Sequence, residues 1–374
     1  MREPAPLQQV DRTYVRWKGR KLSYFSGCDY FRLASHPKVK AALAAGLKQY
    51  GLNVAASRLT TGNHVLYEQL EKQLARFFRA ETALVVSTGY LANLVTAQAC
   101  AGSFSHALLD EAAHPSLVDA ATFLDCPVLR FRSRDARAVE QAVRRCGPGA
   151  KLLLLTDGMF SRDGSAAPLG DYLRVLPRDA RLLVDDAHGA GVIGKQGRGT
   201  PEFSGVDLRR IIQTITLSKA FGVYGGAILC DTAFRDRVLD KSKIFVGSTP
   251  LPLPLASATL CSIRILKSNS GLRQRLIRNS EYLKAALRKA GCVLPEAPGP
   301  IVRLPELRAR AVQKLKDALL KAGIFPPFIK YPGGPEGGYF RFVISSKHTL
   351  KDLDALIRVL GPFRWTGCIA CSAH

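Results

Sequence analysis

Polar residues follow several short apolar runs in this sequence: Ser87-Thr88-Gly89, Asp157, Asp185 with His188, and Thr216 with Ser218 and Lys219. A helix that starts after Gly89 has free N–H groups to offer a phosphate dianion. Asp185 follows Arg181-Leu182-Leu183-Val184, a buried setting in which a carboxylate needs a cationic partner. Lys219 lies just beyond another apolar run, where a lysine is seldom placed without a task. Phosphate cradle, buried carboxylate and lysine together are what a pyridoxal phosphate site requires. The lysine supplies the Schiff-base amine, and the aspartate keeps the pyridine nitrogen protonated so that the ring serves as an electron sink. Singly, each residue has a plainer reading: Asp185 as a salt-bridged core acid, His188 as a loop histidine, Lys219 as a surface lysine with its stem laid along the protein. Their common placement at strand ends favours the cofactor, because ligands of open α/β sheets bind beyond the carboxyl ends of the strands.

Two other glycine patterns are weaker. Gly189-Ala-Gly191-Val-Ile-Gly194 has the dinucleotide spacing, but Lys195-Gln-Gly-Arg-Gly-Thr-Pro follows, which does not start a helix. The same stretch nearly spells a nucleotide-phosphate loop, with Gln196 where a Ser or Thr must reach magnesium.

The elements that must position these residues are seven apolar runs: ALVVS (83–87), HALLD (106–110), PVLRF (127–131), KLLLLTD (151–157), RLLVDDA (181–187), IIQTITL (211–217) and GAILC (226–230). Several are continuous rather than alternating, which predicts strands covered on both faces and a largely parallel sheet. Helix-like segments such as YLANLVTAQA and DARAVEQAVRR lie between them, so the expected fold is α/β: a three-layer, seven-stranded, mostly parallel sheet. Only KAFGVYGG separates the sixth run from the seventh, too short for a crossover, so that pair is expected to be antiparallel. Residues 1–45 read as an N-terminal arm with an amphipathic helix at HPKVKAALAAGLKQY, 46–273 as the large domain, and 274–374 as a smaller α+β domain.

Composition narrows the class. The 374 residues are 47% hydrophobic, enough for a sizeable core and against intrinsic disorder. The 54 Lys and Arg against 30 Asp and Glu give a net charge of +24, which points toward polyanionic ligands. No five basic residues are consecutive, so solvated faces come first, a phosphate-rich small ligand second, and specific nucleic-acid recognition last. Nine cysteines, an odd number, fit a reducing compartment better than a disulfide scaffold. Cys368 and Cys371, with His374 behind them, form a lone CxxC pair, and no metal site is assigned to it. The N-terminus has no apolar core for a signal peptide. Neither charge-free stretch, 82–109 or 244–263, is a continuous apolar run of ~20 residues. A cytoplasmic protein without a membrane span is expected.

VDDAHGAGVIGKQGRG and TLSKAFGVYGG resemble the α-oxoamine synthases, pyridoxal phosphate enzymes of fold type I. The similarity runs from about residue 22 to 360 and takes in SRLTTGNH, STGYLAN, DEAAHPSL, DGMFSRDGSAAPL and STPLPLP. It implies an acyltransferase that joins an amino acid to an acyl-CoA, with loss of CoA and carbon dioxide, to give an aminoketone. On matching positions, Lys219 would be the Schiff-base lysine and the base for the substrate α-proton. Asp185 would pair with the pyridine nitrogen, His188 with the ring hydroxyl, and His114 would stack on the ring. Gly89 and Tyr90 would contact the phosphate through their amides beside Thr88, with Ser161 and Thr216 completing the cradle. Thr249 would reach the phosphate bound to a second copy, which implies a homodimer with shared active sites. Arg341 would clamp the amino-acid carboxylate, a bidentate task suited to guanidinium.

The chain departs from that pattern mainly around the substrate. Cys28 in Gly27-Cys28-Asp29-Tyr30 replaces an asparagine near the substrate carboxylate. Arg32 in Tyr30-Phe31-Arg32-Leu33 replaces a frequent glycine, and Asn53-Val54-Ala55-Ala56 replaces a glycine-rich approach to SRL. Tyr67 stands where a histidine is common, and Gly333-Gly334 where a substrate-touching threonine is expected. These changes keep a second reading open, an aminotransferase or amino-acid decarboxylase on the same fold. A third, a non-catalytic basic interaction protein, has no evident use for Lys219, Asp185, His188 and His114 together.

Overall fold

The computed structural model describes residues 5–11, 13–330 and 334–363; Gly333, Cys368, Cys371 and His374 lie outside them. Contacts divide the chain into two units, one of residues 1–35, 162–165 and 271–374, the other of 36–161 and 166–270.

The first unit opens with an antiparallel sheet of β1 (Gln8–Asp11), β2 (Tyr14–Trp17) and β3 (Arg20–Ser23). Sequence patterning did not single out these strands, because segments of four residues are too short to establish a period of two.

The larger unit is built on a seven-stranded sheet of β4 (Thr82–Val86), β5 (His106–Asp110), β6 (Val128–Phe131), β7 (Leu152–Asp157), β8 (Arg181–Asp185), β9 (Ile211–Thr216) and β10 (Gly226–Cys230). All seven apolar runs are strands of it, in the order β4-β10-β9-β8-β7-β5-β6. β10 runs antiparallel to both neighbours and the other pairings are parallel, so β4 to β9 all end on one edge. The unit's helices are α1 (Pro37–Tyr50), α2 (Val65–Phe78), α3 (Gly89–Cys100), α4 (Pro115–Ala121), α5 (Ala136–Cys146), α6 (Leu169–Val175), α7 (Thr200–Phe203), α8 (Thr232–Lys241), α9 (Lys243–Gly247) and α10 (Leu253–Ser268).

Continuous leucines in β7 make sense because both faces are covered. Leu153 and Leu155 join a cluster with Ala92 and Val95 of α3, Leu117 of α4 and Val238 of α8. Leu152 and Leu154 join another, with Val139 of α5 and Tyr172 of α6. All four leucines are fully buried, each contributing about 2 kcal/mol by removing apolar surface from water.

The remaining elements are α11 (Ser270–Lys289), β11 (Ile301–Arg303), α12 (Ala309–Lys321), β12 (Phe328–Ile329), β13 (Tyr339–Val343) and α13 (Leu350–Leu360). The long helical region ends α10 at Asn269 before α11 starts. Within the smaller unit, Phe25 from the N-terminal stretch joins the core of Leu283, Phe340, Phe342 and Leu353. Ser23 is tied there through Ser23 N–H to the Gly323 carbonyl (2.8 Å) and Phe325 N–H to its own carbonyl (2.9 Å). Among the described residues no helix is long and apolar enough to cross a membrane.

The glycine-rich stretch 189–199 is a loop wound around one buried carboxylate. Asp186 accepts from Thr200 N–H (2.9 Å), the Thr200 hydroxyl (2.6 Å) and Gln213 Nε2 (2.7 Å). A Cβ at Gly199 would stand 1.7 Å from Asp186 Oδ2, and one at Gly189 2.1 Å from Oδ1. Close approach to Asp186, rather than a nucleotide, accounts for these glycines.

Burial pushes the Asp186 carboxyl up to about 7, against the opposing pull of its hydrogen bonds. The folded chain therefore keeps a proton that the unfolded chain loses near 3.8. That contribution to stability is complete below the unfolded pKa and is lost as pH rises toward 7. Asp186→Asn, which carries no titrating proton, is expected to flatten the decline in unfolding free energy across that window, as measured by urea titrations at several pH values.

Candidate active site

Gly89 and Gly226 bring the start of α3 against the edge where β4 to β9 end. A Cβ at Gly89 would lie 2.8 Å from Thr216 Cβ, and one at Gly226 2.5 Å from the Thr88 carbonyl oxygen. With hydrogen at both positions the first turn of α3 seats beside the end of β9. Thr88 caps it, its hydroxyl accepting from Leu91 N–H at 3.1 Å. Thr216 Oγ1 lies 2.7 Å from the Ser218 hydroxyl, so amides and hydroxyls converge as an anion cradle.

Thr88, Gly89, Tyr90, His114, Ser161, Asp185, His188, Thr216 and Lys219 all line one cavity of about 190 Å³, together with Ser116, Asp157 and Ser218. Thr249 falls outside its lining; the Thr249 carbonyl accepts from the Ser87 hydroxyl at 2.8 Å.

Asp185 is buried at the end of β8. Its Oδ2 accepts from Asn93 Nδ2 at 2.6 Å and faces Ser116 Oγ at 3.4 Å, while Oδ1 accepts from Ala187 N–H at 3.0 Å. On the neighbouring strand Asp157 is in register with Asp185. Burial pushes the Asp157 carboxyl well above the usual range, helped by the charges of Asp185 and Asp110 and opposed by Lys219 and His114 N–H. The adjacent strand ends thus avoid two full negative charges side by side. His114 caps α4 through Nδ1. Burial pulls its pKa down, offset by Asp185 and reinforced by Lys219, so the ring is neutral near pH 7.

Asn93 and Ser116 are the residues that sequence reasoning missed. Asn93 is wholly buried in α3 and contacts Asp185, Ser116 and Thr214 at once. The available signal was an asparagine among the apolar residues of YLANLV, which must find hydrogen-bond partners when buried.

The two substrate candidates lie together in the smaller unit. Arg341 Nη2 of β13 is 3.9 Å from the sulfur of Cys28. Arg32 has φ of 54°, the left-handed region that favours the glycine it replaces. Its guanidinium reaches the Tyr24 and Ser26 carbonyls at 3.3 and 3.4 Å. Ala55 has φ of 51°, again where glycine is the easier residue. Tyr67, counted above among changes around the substrate, is instead fully buried in the larger unit, and its hydroxyl donates to the Leu251 carbonyl at 2.6 Å.

The profile of aminotransferase class I and II matches residues 25–360. The chain is 36% identical over 358 residues to 8-amino-7-oxononanoate synthase of Thioalkalivibrio sulfidiphilus, covering 95% of this chain and 90% of that one. It is 34% identical over 360 residues to the protein of the same name from Trichlorobacter lovleyi, covering 95% and 92%. Among solved structures, serine palmitoyltransferase of Sphingomonas wittichii superposes with a TM-score of 0.89 at 27% identity, covering 96% of this chain and 92% of that one. The crystal structure of 8-amino-7-oxononanoate synthase from Francisella tularensis gives a TM-score of 0.78 at 24% identity, covering 90% and 96%, and shares the fold.

Gly89→Ala places a methyl against Thr216 and displaces the first turn of α3. The expected result is a dissociation constant for pyridoxal phosphate raised by about tenfold, the loss of one charge-assisted hydrogen bond. An absorbance titration of the cofactor-free protein measures it.

Proposed function

The chain belongs to the class I and II aminotransferase family, as a pyridoxal phosphate-dependent transferase of the α-oxoamine synthase type, and from that premise we propose that it condenses an amino acid with an acyl-CoA, releasing CoA and carbon dioxide and leaving an aminoketone, in the manner of 8-amino-7-oxononanoate synthase. The observation that carries this reading is the cavity where the amide end of α3, Lys219 and the buried Asp185 meet.

That donor set suits pyridoxal phosphate: amides and hydroxyls at one end for a phosphate dianion, a carboxylate at the other for a protonated ring nitrogen. Bound there, the cofactor supplies an electron sink for the charge that develops at the amino-acid α-carbon. The Gly89 and Tyr90 amides, with the hydroxyls of Thr88, Ser161 and Thr216, would hold the phosphate. Lys219 Nζ would hold the group covalently and move the substrate's α-proton. Asp185, oriented by Asn93 and Ala187 N–H, would keep a proton on the ring nitrogen. His188 would hydrogen-bond the ring hydroxyl, and a neutral His114 would cover the ring face without adding a second positive charge.

Arg341 would bind the amino-acid carboxylate, with Cys28 beside it. Thr249, outside the cavity, would serve the phosphate of a second copy in a cytoplasmic homodimer with shared sites. The excess of basic residues suits the phosphates of CoA.

Incubation of the cofactor-loaded protein with pooled amino acids and a ladder of acyl-CoAs is expected to release CoA and produce aminoketones detectable by mass spectrometry. That release should require an amino acid and disappear in Lys219→Ala. Keto acid or amine formed from the amino acid alone, with no CoA release, would instead establish transamination or decarboxylation. Asp185→Asn should fold normally yet exchange the substrate α-proton in deuterium oxide at least ~100-fold more slowly, on the scale of a lost proton-transfer contribution.

A further inference from the structure

We propose that Ser116 and Asn93 are positioning residues that lock His114 in the tautomer with its proton on Nε2. Asn93 has a side-chain atom 2.6 Å from Asp185 Oδ2. A carboxylate oxygen accepts, so that atom is the amide nitrogen and not the amide oxygen. The orientation agrees with the other end of the amide, where Asn93 Oδ1 accepts from the Thr214 hydroxyl at 2.6 Å.

With the amide so oriented, the second hydrogen on Asn93 Nδ2 is directed at Ser116 Oγ, 2.9 Å away. That contact occupies a lone pair of the serine oxygen and leaves its O–H to donate. Two acceptors are within reach: His114 Nδ1 at 2.8 Å and Asp185 Oδ2 at 3.4 Å. The nearer is the histidine. Ser116 N–H also faces His114 Nδ1, at 3.2 Å, and a backbone N–H can only donate. Nδ1 therefore meets two donors from one residue and has no room for a proton of its own.

His36 and His64 cap their helices in the same way, each Nδ1 accepting from the N–H two residues on. There the residues are Lys38 and Leu66; only at His114 does that position carry a hydroxyl. Ser116 is 1% exposed and Asn93 0% exposed, so water does not compete for these contacts. Burial lowers the pKa of His114, which keeps the ring neutral and gives the tautomer its meaning.

The consequence for function rests on the proposed placement of His114 over the cofactor. With Nδ1 held against Ser116, the opposite ring nitrogen is a hydrogen-bond donor in the cavity, suited to a carboxylate or carbonyl oxygen of the bound substrate. One buried amide thereby orients the cofactor-facing carboxylate and sets the proton on the neighbouring histidine.

The test is nitrogen NMR of the full chain carrying ¹⁵N-labelled histidine, recorded with and without pyridoxal phosphate, the His114 signals being identified by their loss in His114→Asn. The expected spectrum has a pyridine-like Nδ1 and a pyrrole-like Nε2 in both forms. Ser116→Ala should move the tautomer ratio about fivefold toward Nδ1–H, the equivalent of one neutral hydrogen bond. Asn93→Ala should move it the same way, and serves if the serine variant does not fold. A pyrrole-like Nδ1 in the unaltered protein, or unchanged shifts in the folded variants, would overturn the proposal. Failure of CoA release would leave these spectra untouched, so the tautomer and the proposed reaction stand or fall separately.

Discussion

A carboxylate buried at the end of a central strand is costly unless every lone pair is used and a positive charge is near. Asp185 imposes that constraint on the larger unit. Asn93 reaches it from α3 and Ala187 N–H from the turn that follows β8, while Ser116 at the start of α4 accepts from the same Asn93 amide and turns its hydroxyl to His114. Two elements are thus positioned by the need to satisfy one side chain, and a third through the amide that does so. Lys219, from the turn after β9, lines the same cavity. The neighbouring Asp157 answers the same electrostatics by a raised pKa, which opposes a second buried charge at the adjacent strand end.

A second constraint is the close approach of backbone to backbone and to carboxylate. Gly89 and Gly226 allow the start of α3 to lie against the end of β9 and the start of β10, and Gly189 and Gly199 allow a loop to wrap Asp186. Asp186 sits in the chain between Asp185 and His188, both of which line the cavity. Its three hydrogen bonds to Thr200 and Gln213 hold the segment that carries both. Of the glycines with nucleotide-loop spacing, Gly189 makes room for Asp186, Gly191 for Ala220 and Gly194 for Glu202.

The departures from the family pattern divide in the same physical terms. Arg32 and Ala55 take left-handed backbone where glycine is easier, at about 1–2 kcal/mol each. The Arg32 guanidinium offsets part of that cost through two carbonyls. Tyr67 fills a buried site and tethers Leu251 through its hydroxyl. Cys28, beside Arg341, is the change left next to the proposed carboxylate clamp.

The number and direction of the central strands were legible in the sequence, because strands covered on both faces demand continuous apolar runs and a short gap forbids a crossover; their order across the sheet was not. The strand-end residues were legible for the same reason: the ends of apolar runs place Thr88, Asp157, Asp185, Thr216 and Lys219 on one edge of the sheet. Asn93 and Ser116 were not legible as partners of Asp185, since their contacts span 92 and 69 positions of chain and no local period records them. Nor did patterning reveal the three N-terminal strands, which at four residues each are too short to establish a period. Residue type and strand periodicity by themselves determined the fold class and which polar residues stand at the strand ends. The tertiary structure alone decided which buried donors meet which acceptors, because hydrogen bonds of fixed direction exist only once the strands and helices have packed.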